Sequence, residues 1–463
     1  MSAPERPLLN ALQAFVSGPG RSARWHTPGH KGSAPDGAEF LAWAYDVTEV
    51  GSLSPSGHGL DPIARSESLM ASAFGADRTW YSVQGATLPV TAAMLAAFPL
   101  GAEIAVDRNA HRSVLAGLVL GGFRPRWIYP QLVGGAVALP AMPAGQAAAG
   151  QVLKGTAGLV LTHPTYDGLT ASLAPWVDAA HAANVPVVVD EAHGAHFAGR
   201  AGYPRSALDY GADLVVHGVH KTEAALTQTG LLHRQGNRVG NAAVDWWWSM
   251  LATSSPSYLL LAALDRLQAE RHQPGRTAEW EALSETMREL WGRWQTSGIS
   301  VLQPWWESRG GVADPAKLTI LGDGRAMAES LASRGTVEKV DAVSVTLILS
   351  PGQDTALLDD AIRPLARWSG FRPAIRPWPQ LAAELPPREA VVRAARWVPW
   401  RDAPGRVAAT ALIPYPPGVP LAIPGEVLTP EVLDWVDEWQ SGGAGWVQGV
   451  DGSEEGGLWV VDA

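Results

Sequence analysis

Cysteine is absent from the 463-residue sequence, and so is any long run of apolar residues. Without cysteine the chain can form no disulfide, thiolate metal site or cysteine nucleophile, so covalent catalysis would need Lys, Ser, Thr or a cofactor. No stretch reaches the roughly eighteen uninterrupted apolar residues of a membrane span. The N-terminus, which contains Pro4, Glu5 and Arg6, lacks the basic-then-apolar order of a signal peptide. We therefore expect a cytoplasmic protein that does not enter a membrane.

An excess of basic residues is also missing. The chain has 35 Lys and Arg against 45 Asp and Glu, which gives a formal net charge of -10 and a pI near 5.7. This balance argues against nucleic acid or an anionic membrane as the main partner, and we expect a small-molecule substrate. His26 and His30 are four residues apart, but Pro28 between them breaks a helix, so we expect no metal site there.

The composition is that of a globular protein. With 46% hydrophobic and 17% charged residues, the chain can bury a sizeable core in two or three domains. From about residue 66, short β-branched apolar runs alternate with helical patterns, and polar residues follow each run. This alternation is typical of an α/β fold with an open, mostly parallel sheet. The predicted strands are 79–83, 103–106, 126–129, 158–161, 185–189 and 214–216, and the predicted helices are 8–16, 66–74, 89–98 and 114–120.

The pattern changes near residue 300. Beyond it, the sequence predicts strands at 301–302, 317–321 and 342–350 and a helix at 354–368, which indicates a smaller α+β domain. We expect an N-terminal helix or arm at residues 1–25, a major domain at 26–300 and a C-terminal small domain at 301–463.

One lysine stands just after a predicted strand. The apolar run at 212–216 leads into His220, Lys221 and Thr222. An amine at the end of a buried strand is desolvated, which lowers the pKa of a lysine and frees its nucleophilic lone pair. Most lysines at strand ends are solvated, so a catalytic role for Lys221 depends on the residues around it.

Further candidates follow other strands of the same predicted sheet. Asp190 ends one strand, and His111 follows another. The turn Gly85-Ala86-Thr87 precedes a helix, where free backbone N–H groups suit a phosphate, although it is not a P-loop. With Lys221, these groups are the parts that pyridoxal 5'-phosphate (PLP) needs, namely a phosphate anchor, a pyridinium partner, a ring contact and an amine. Each residue also has an ordinary alternative as a cap or loop residue.

Short segments spread over almost the whole chain carry a resemblance to a known family. They are 26–32 (HTPGHKG), 107–111 (DRNAH), 164–168 (PTYDG), 190–197 (DEAHGAHF), 220–222 (HKT), 226–229 (LTQT), 254–258 (SSPSY), 314–318 (DPAKL), 387–390 (PREA), 413–420 (IPYPPGVP) and 424–426 (PGE). On these segments, the sequence resembles the bacterial Orn/Lys/Arg decarboxylase family of fold type I PLP enzymes, in a compact form without the N-terminal wing domain of larger members.

The resemblance implies a fold and an activity. The fold would be a fold type I, aspartate aminotransferase-like major domain with a smaller C-terminal domain. The activity would be PLP-dependent decarboxylation of arginine, lysine or ornithine to the amine and CO2, which forms a polyamine precursor. Because the active sites of the family form between subunits, the resemblance also implies at least a homodimer.

The resemblance implies roles for individual residues. Lys221 would bind PLP as a Schiff base, Asp190 would pair with the pyridine nitrogen, and His111 would stack on the ring face. His193 would lie near the phenolic oxygen of the ring, and His220 or the released Lys221 would return a proton to the substrate. The phosphate would contact Gly85, Ala86, Thr87 and His220.

Substrate recognition is where the sequence departs from the family pattern. Glu426 is the carboxylate that the resemblance assigns to the cationic end of the substrate. The phosphate turn at 84–89 carries fewer hydroxyls than usual, the segment 52–59 lacks a pair of aspartates, and Arg396 stands where an acidic residue is usual.

These departures leave two alternatives open. One is another fold type I reaction, such as transamination or aldol cleavage, in which Arg372 or Arg376 would hold the substrate carboxylate. The other is a non-catalytic relative that keeps the fold for a binding role.

Overall fold

The computed structural model describes residues 4–18, 24, 26–34, 41–50, 53, 61–271, 273–369, 374–441, 446–451 and 456–462. No helix in this part of the chain is both long enough and apolar enough to cross a membrane. Short 3-10 turns lie at Trp43–Tyr45, Val219–Lys221, Arg363–Arg367 and Trp400–Asp402. The α-helices are α1 (Pro7–Ser17), α2 (Pro62–Phe74), α3 (Thr87–Ala97), α4 (Arg112–Gly121), α5 (Gln146–Leu153), α6 (Ala174–Ala182), α7 (Asn241–Leu251), α8 (Tyr258–Arg271), α9 (Pro274–Thr296), α10 (Leu302–Glu307), α11 (Gly324–Leu331), α12 (Thr355–Ile362), α13 (Pro387–Val392) and α14 (Pro430–Ser441).

The strands form one large sheet and several smaller ones. They are β1 (Arg78–Ser82), β2 (Glu103–Asp107), β3 (Arg124–Ile128), β4 (Gln131–Val133), β5 (Val137–Ala138), β6 (Leu159–Thr162), β7 (Leu169–Thr170), β8 (Val187–Asp190), β9 (Leu214–His217), β10 (Gly230–Arg234), β11 (Ser300–Val301), β12 (Val312–Ala313), β13 (Lys317–Leu321), β14 (Lys339–Asp341), β15 (Ser344–Ile348), β16 (Ile375–Pro377), β17 (Ala395–Pro399), β18 (Ile413–Tyr415), β19 (Trp446–Gln448), β20 (Val450–Asp451) and β21 (Gly457–Val461).

The large sheet is mostly parallel, as the sequence predicts. Its strand order is β1-β10-β9-β8-β6-β2-β3. The run from β9 to β3 is parallel, and only β10 is antiparallel to its neighbours β9 and β1. The apolar runs do not predict β10, because Gly230 opens the strand and the polar His233 and Arg234 close it.

Helices cover both faces of the large sheet. Along β8, Val187 and Val189 join the core beneath α1, α2, α5, α6 and α8, whereas Val188 joins the core beneath α3, α4 and α7. All three side chains are fully buried. A strand that is covered on both faces needs apolar residues at every position, which explains why these strands read as unbroken apolar runs.

Two of the apolar cores in the described chain lie mainly in its C-terminal part. The first surrounds the antiparallel sheet β11-β13-β15-β14 and includes α9, which precedes residue 300. The second, from residues 378–460, also includes Leu132 of β4 and Ala138 of β5. The helix predicted at 354–368 becomes 3-10 after Ile362. Pro364 explains this change, because proline lacks the N–H that the interior of an α-helix requires.

Candidate active site

A cavity opens at the carboxyl ends of the parallel strands of the large sheet. Residues around β14 and β15 and the loop that follows β18 complete its wall. Side chains that come directly after buried strands are therefore gathered in one place, as expected for an open α/β sheet. The sequence-predicted residues that line this cavity are Gly85, Ala86, Thr87, His111, Asp190, His193, His220 and Lys221.

Lys221 is the last residue of the 3-10 turn that follows β9. Gly218 precedes this turn, and a Cβ at that position would lie 3.3 Å from Lys221 Cε, so glycine leaves room for the lysine side chain. Burial lowers the pKa of Lys221, although the charges of Asp190 and Glu338 oppose this effect. The amine is therefore closer to its nucleophilic neutral form than a surface lysine would be.

Asp190 is the last residue of β8, and only 5% of it is exposed. Its Oδ1 accepts a hydrogen bond from the Ala192 N–H at 3.1 Å. Burial raises the pKa of Asp190, whereas the charge of Lys221 lowers it. A carboxylate that is held away from water at this position can stabilise a nearby positive charge, such as a protonated ring nitrogen.

His111 occupies the N-cap position of α4. Its Nδ1 accepts from the Ser113 N–H at 3.2 Å, so Nε2 carries the proton and lies 3.4 Å from the Tyr415 hydroxyl. A Cβ at Gly418 would lie 2.9 Å from the imidazole, so glycine is needed there. Burial and then the charges of Lys221 and Arg112 lower the pKa of His111 to about 3. The flat ring is therefore neutral at working pH.

The turn between β1 and α3 is built around Gly85, whose φ of 64° is left-handed. The Gly85 N–H donates to the Gln228 carbonyl at 2.7 Å, and the Gly85 carbonyl accepts from Ser82 Oγ at 2.8 Å. A Cβ at Gly230 would lie 2.5 Å from that carbonyl oxygen, so β10 requires glycine where it passes the turn. Gly85, Ala86 and Thr87 thereby line the cavity at the start of α3, and the N-terminus of a helix is a favourable place for an anion.

His220 lies at the cavity wall beside Lys221. Its Nδ1 is 2.8 Å from the Thr229 carbonyl oxygen, and Nδ1 carries the proton because a carbonyl can only accept. Burial lowers the pKa of His220, although the bond to Thr229 opposes this effect. The neutral ring presents Nε2 as an acceptor, so His220 can donate to a phosphate or a substrate only after it has been protonated.

His193 connects two lysines. Its Nε2 lies 3.1 Å from Lys221 Nζ, and its Nδ1 lies 2.9 Å from Lys317 Nζ. The ring of Tyr166 packs edge-on against the imidazole at 4.9 Å between centroids. Burial lowers the pKa of His193 well below its usual range, and a charge on either neighbouring lysine lowers it further. His193 is therefore a neutral imidazole.

These groups fit the parts of PLP. The amine, the buried carboxylate, the neutral imidazole and the helix N-terminus surround one cavity. The hydroxyl of Thr162 also lines this cavity, is buried, and has no hydrogen-bond partner among the described residues. Buried polar atoms without partners are rare in proteins, so this hydroxyl points to a polar ligand.

Glu426 does not line this cavity and lies at the wall of a second one, beside Trp127 and Ile423. The side chain is buried, and its Oε2 lies 3.4 Å from Arg108 Nη2 and accepts from the Ile423 N–H at 2.8 Å. The guanidinium of Arg108 also lies over the rings of Trp127 and Trp378, at 4.8 and 5.4 Å from their centroids. The carboxylate therefore compensates a buried arginine through Oε2, and Oε1 has no hydrogen-bond partner among the described residues.

Replacement of Glu426 should affect stability and not substrate binding. Glu426→Ala leaves the Arg108 charge buried without its partner, which costs about 3–5 kcal/mol. We expect a clear fall in the thermal unfolding midpoint, whereas Glu384→Ala, which removes an exposed carboxylate nearby, should leave the midpoint unchanged. Wild-type stability combined with a raised KM in Glu426→Ala would restore the substrate role.

Other sequence-predicted residues are not part of the cavity that the structure describes. Arg376 lies on β16 and is exposed, and it does not line the cavity. Arg372 lies outside the described residues, as does the segment 52–59 except for Leu53.

Three residues near the cavity received no role from the sequence. Tyr166 and Glu338 line it, and the Tyr166 hydroxyl donates to Glu338 at 2.5 Å. Lys317 is fully buried behind His193. Tyr166 and Lys317 fall within the segments 164–168 and 314–318 that carry the resemblance, which was a usable signal. Glu338 is in no such segment.

Comparison with known proteins identifies the family. The family model described as "Orn/Lys/Arg decarboxylase, major domain" matches residues 6–308, and "Orn/Lys/Arg decarboxylase, C-terminal domain" matches residues 375–455. The chain belongs to the Orn/Lys/Arg decarboxylase family. The arginine decarboxylase of Bacillus subtilis is 31% identical over 471 residues, which cover 94% of each chain. A lysine decarboxylase of Pseudomonas aeruginosa is 26% identical, over 89% of this chain and 73% of its own.

Solved structures of decarboxylases share the fold. The constitutive lysine decarboxylase of Escherichia coli matches with a TM-score of 0.79 and 21% identity, over 99% of this chain and 82% of its own. An aspartate aminotransferase of Thermus thermophilus matches more distantly, with a TM-score of 0.51 and 16% identity, over 66% of this chain and 89% of its own. The fold type I class and the Orn/Lys/Arg decarboxylase family that the sequence predicts are thus both confirmed.

Proposed function

We propose that the protein is a PLP-dependent decarboxylase of a basic L-amino acid, with arginine as the first candidate. The convergence of Lys221, Asp190 and His111 on one cavity carries the proposal. Family membership supports the reaction, and a relative named arginine decarboxylase that aligns over 94% of this chain supports the substrate. Homodimer formation, a cytoplasmic location and a role in polyamine synthesis stay predictions.

When bound, PLP supplies an electron sink for the electron pair released as the bond from the α-carbon to the carboxylate breaks. Lys221 would provide the amine that holds the cofactor. Asp190 keeps the pyridine nitrogen protonated, which makes the ring a better electron acceptor. The N–H groups that follow Gly85 bind the phosphate.

Two further histidines have roles in this proposal. His111 supports the ring face as a neutral imidazole, held by Ser113 on one side and by Gly418 on the other. His220 is one candidate for return of the proton to the substrate carbon, with the released Lys221 as the other. Because neutral His220 presents an acceptor at Nε2, it must first receive a proton from the substrate or from water.

The cationic end of the substrate needs a carboxylate. Among the described residues that line the cavity, the carboxylates are Asp190 and Glu338. Asp190 lies deep at the strand end, whereas Glu338 is exposed and its carboxylate accepts from the Tyr166 hydroxyl. Glu338 is therefore our candidate for the guanidinium or ammonium group of the substrate, in place of Glu426.

Glu338→Gln should weaken substrate binding. A hydrogen bond to a charged group contributes about 1.5–3 kcal/mol, so we expect KM to rise by roughly 10- to 100-fold while kcat changes much less. Steady-state kinetics with each basic amino acid measures both constants. The matched control is Glu329→Gln, which removes an exposed carboxylate from α11. An unchanged KM in Glu338→Gln would remove this residue from the substrate site.

The proposed function itself is tested by product analysis. The purified protein is incubated with PLP and with arginine, lysine or ornithine, and the products are identified by mass. The proposal predicts the amine that lacks the carboxyl carbon of one of these substrates, in equal amount to CO2. Conversion of an added keto acid to an amino acid would instead identify an aminotransferase. No product of either kind would favour a non-catalytic relative.

A further inference from the structure

Lys317 is a buried lysine that has no role in the proposed decarboxylation. Its side chain is fully buried, and Gly168 leaves room for its stem, since a Cβ there would lie 2.5 Å from Lys317 Cγ. The ammonium donates to the Tyr166 carbonyl at 3.2 Å and contacts His193 Nδ1 at 2.9 Å. We propose that Lys317 is a positioning residue that fixes the tautomer of His193 and thereby holds Lys221 as a neutral amine.

The neighbouring Lys339 shows what an ordinary buried lysine looks like in this fold. Its Nζ lies 2.6 Å from Asp167 Oδ1 and 3.1 Å from Asp341 Oδ2, so two carboxylates compensate its charge directly. Within the described chain, Lys317 makes no ion pair of this kind. Its close partners are a carbonyl, an imidazole nitrogen and the face of the Tyr166 ring at 5.3 Å. A merely structural ion pair therefore does not explain Lys317.

Proton counting restricts the states of the three groups. A neutral imidazole has one N–H and one bare nitrogen, and an ammonium can only donate. If Lys221 and Lys317 were both charged, each would donate to His193, yet only one of its nitrogens can accept. The two short contacts at 3.1 and 2.9 Å are therefore satisfied together only when one lysine is a neutral amine that accepts from the imidazole N–H.

Of the two lysines, Lys317 has the surroundings that favour a charged ammonium. A carbonyl oxygen and the negative face of an aromatic ring both stabilise an ammonium, and both lie beside Lys317. Burial lowers the pKa of Lys317 to about 8, with the carboxylates of Asp314, Glu338 and Asp167 opposing the effect, so it remains largely charged at neutral pH.

With Lys317 charged, the proton of His193 is placed on the other nitrogen. Lys317 donates to Nδ1, so Nε2 carries the proton and donates to the lone pair of Lys221. This hydrogen bond stabilises the neutral amine. The other groups that act on Lys221 are the carboxylates of Asp190 and Glu338, which favour its charged form, and the histidines 111 and 220, which are neutral.

The test follows Lys221 itself, without turnover. The full-length chain, freed of cofactor, is labelled with acetic anhydride between pH 6 and 10, and the extent of reaction at each lysine is read by peptide mass. The sequence has five lysines, so the signals separate well. Exposed Lys154 serves as the internal standard.

Three substitutions separate charge from tautomer. Lys317→Met removes both the charge and the donor to His193 Nδ1. Lys317→Gln keeps a donor without the charge, and Lys317→Arg keeps the donor and the charge. We expect Lys317→Met to move the half-maximal pH at Lys221 upward by about one unit, so that less Lys221 is labelled at every pH below the new midpoint. Lys317→Arg should stay near wild type, and Lys317→Gln should lie between the two.

The outcomes are distinguishable. An unchanged or lowered half-maximal pH at Lys221 in Lys317→Met would overturn the inference. If this variant does not fold, the other two decide, because a half-maximal pH at Lys221 that is no higher in Lys317→Gln than in Lys317→Arg would also overturn the inference. The inference rests on the proposed role of Lys221, but labelling requires neither PLP binding nor decarboxylation, so its failure is separate from failure of the proposed function.

Discussion

Lys221→Ala should abolish decarboxylation, with a fall in kcat on the order of 10^4 or more, the scale typical for loss of a covalent catalytic group. Among the described residues that line the cavity, Lys221 is the only one with a primary amine. Without it, PLP has no covalent attachment, and one of the two candidate proton donors is lost.

The measurement for Lys221→Ala is CO2 release from carboxyl-labelled arginine at saturating PLP. Lys154→Ala, which removes an exposed lysine, is the matched control and should retain wild-type turnover. The catalytic role of Lys221 is excluded if Lys221→Ala retains more than a few per cent of wild-type kcat.

Asp190→Asn should separate cofactor attachment from turnover. Loss of one preorganised electrostatic group costs about 10²–10³-fold in kcat, because an amide cannot stabilise a protonated ring nitrogen as a carboxylate does. Covalent attachment should persist, since the charge of Asp190 raises the pKa of Lys221 and its removal favours the neutral amine. Steady-state kinetics measure the fall in kcat, and the visible absorbance of bound PLP measures covalent attachment.

The same substitution should not destabilise the cofactor-free protein. Burial raises the pKa of Asp190 in the folded state, so the folded chain holds this proton more tightly than the unfolded chain. Stability is therefore lost as the pH rises from the unfolded pKa of about 3.9 towards the higher folded pKa, and ionisation of the buried carboxyl carries this penalty. Asn removes the penalty, so the unfolding midpoint near pH 7.5 should stay level or rise.

The control for these experiments is Asp178→Asn, which removes an exposed carboxylate of α6 and should change neither kcat nor stability. A lower unfolding midpoint in Asp190→Asn would show that the carboxylate is a structural partner. Loss of PLP attachment together with turnover would show that Asp190 acts through binding and not through the electron sink.

Much of the site was predictable because it depends on local patterns. Buried strands read as apolar runs, and the carboxyl ends of parallel strands meet at one edge of the sheet. Asp190 and His111 could therefore be grouped with Lys221 before any coordinates were known. β10 does not read as an apolar run, because Gly230 opens it and His233 and Arg234 close it, so neither the strand nor its need for glycine beside the phosphate turn was predicted.

Residues that reach the cavity from distant parts of the chain were not predictable from local patterns. Glu338 precedes β14 and Tyr415 belongs to β18, so only tertiary packing brings them to Lys221. Glu426 is the opposite case, because the resemblance assigns this acidic residue to a substrate, whereas its side chain contacts a buried arginine. A carboxylate cannot be given a role until the charges around it are known.

The phosphate turn illustrates a third case. The sequence suggested a weakened anchor, because the segment 84–89 has few hydroxyls. The structure instead presents the backbone N–H groups of α3, fixed by the hydrogen bonds of Gly85 to Ser82 and Gln228. Backbone donors at a helix N-terminus do not depend on side-chain identity, so the proposed phosphate anchor does not require the hydroxyls that this turn lacks.

The most direct test of the central claim is the identity of the lysine that binds PLP. The protein loaded with PLP is reduced with borohydride, which makes the link permanent, and the modified peptide is identified by mass. The account predicts modification of Lys221 in the wild type and none at Lys317, although the two side chains contact opposite nitrogens of the same imidazole. Modification of Lys317, or of no lysine at all, would contradict it.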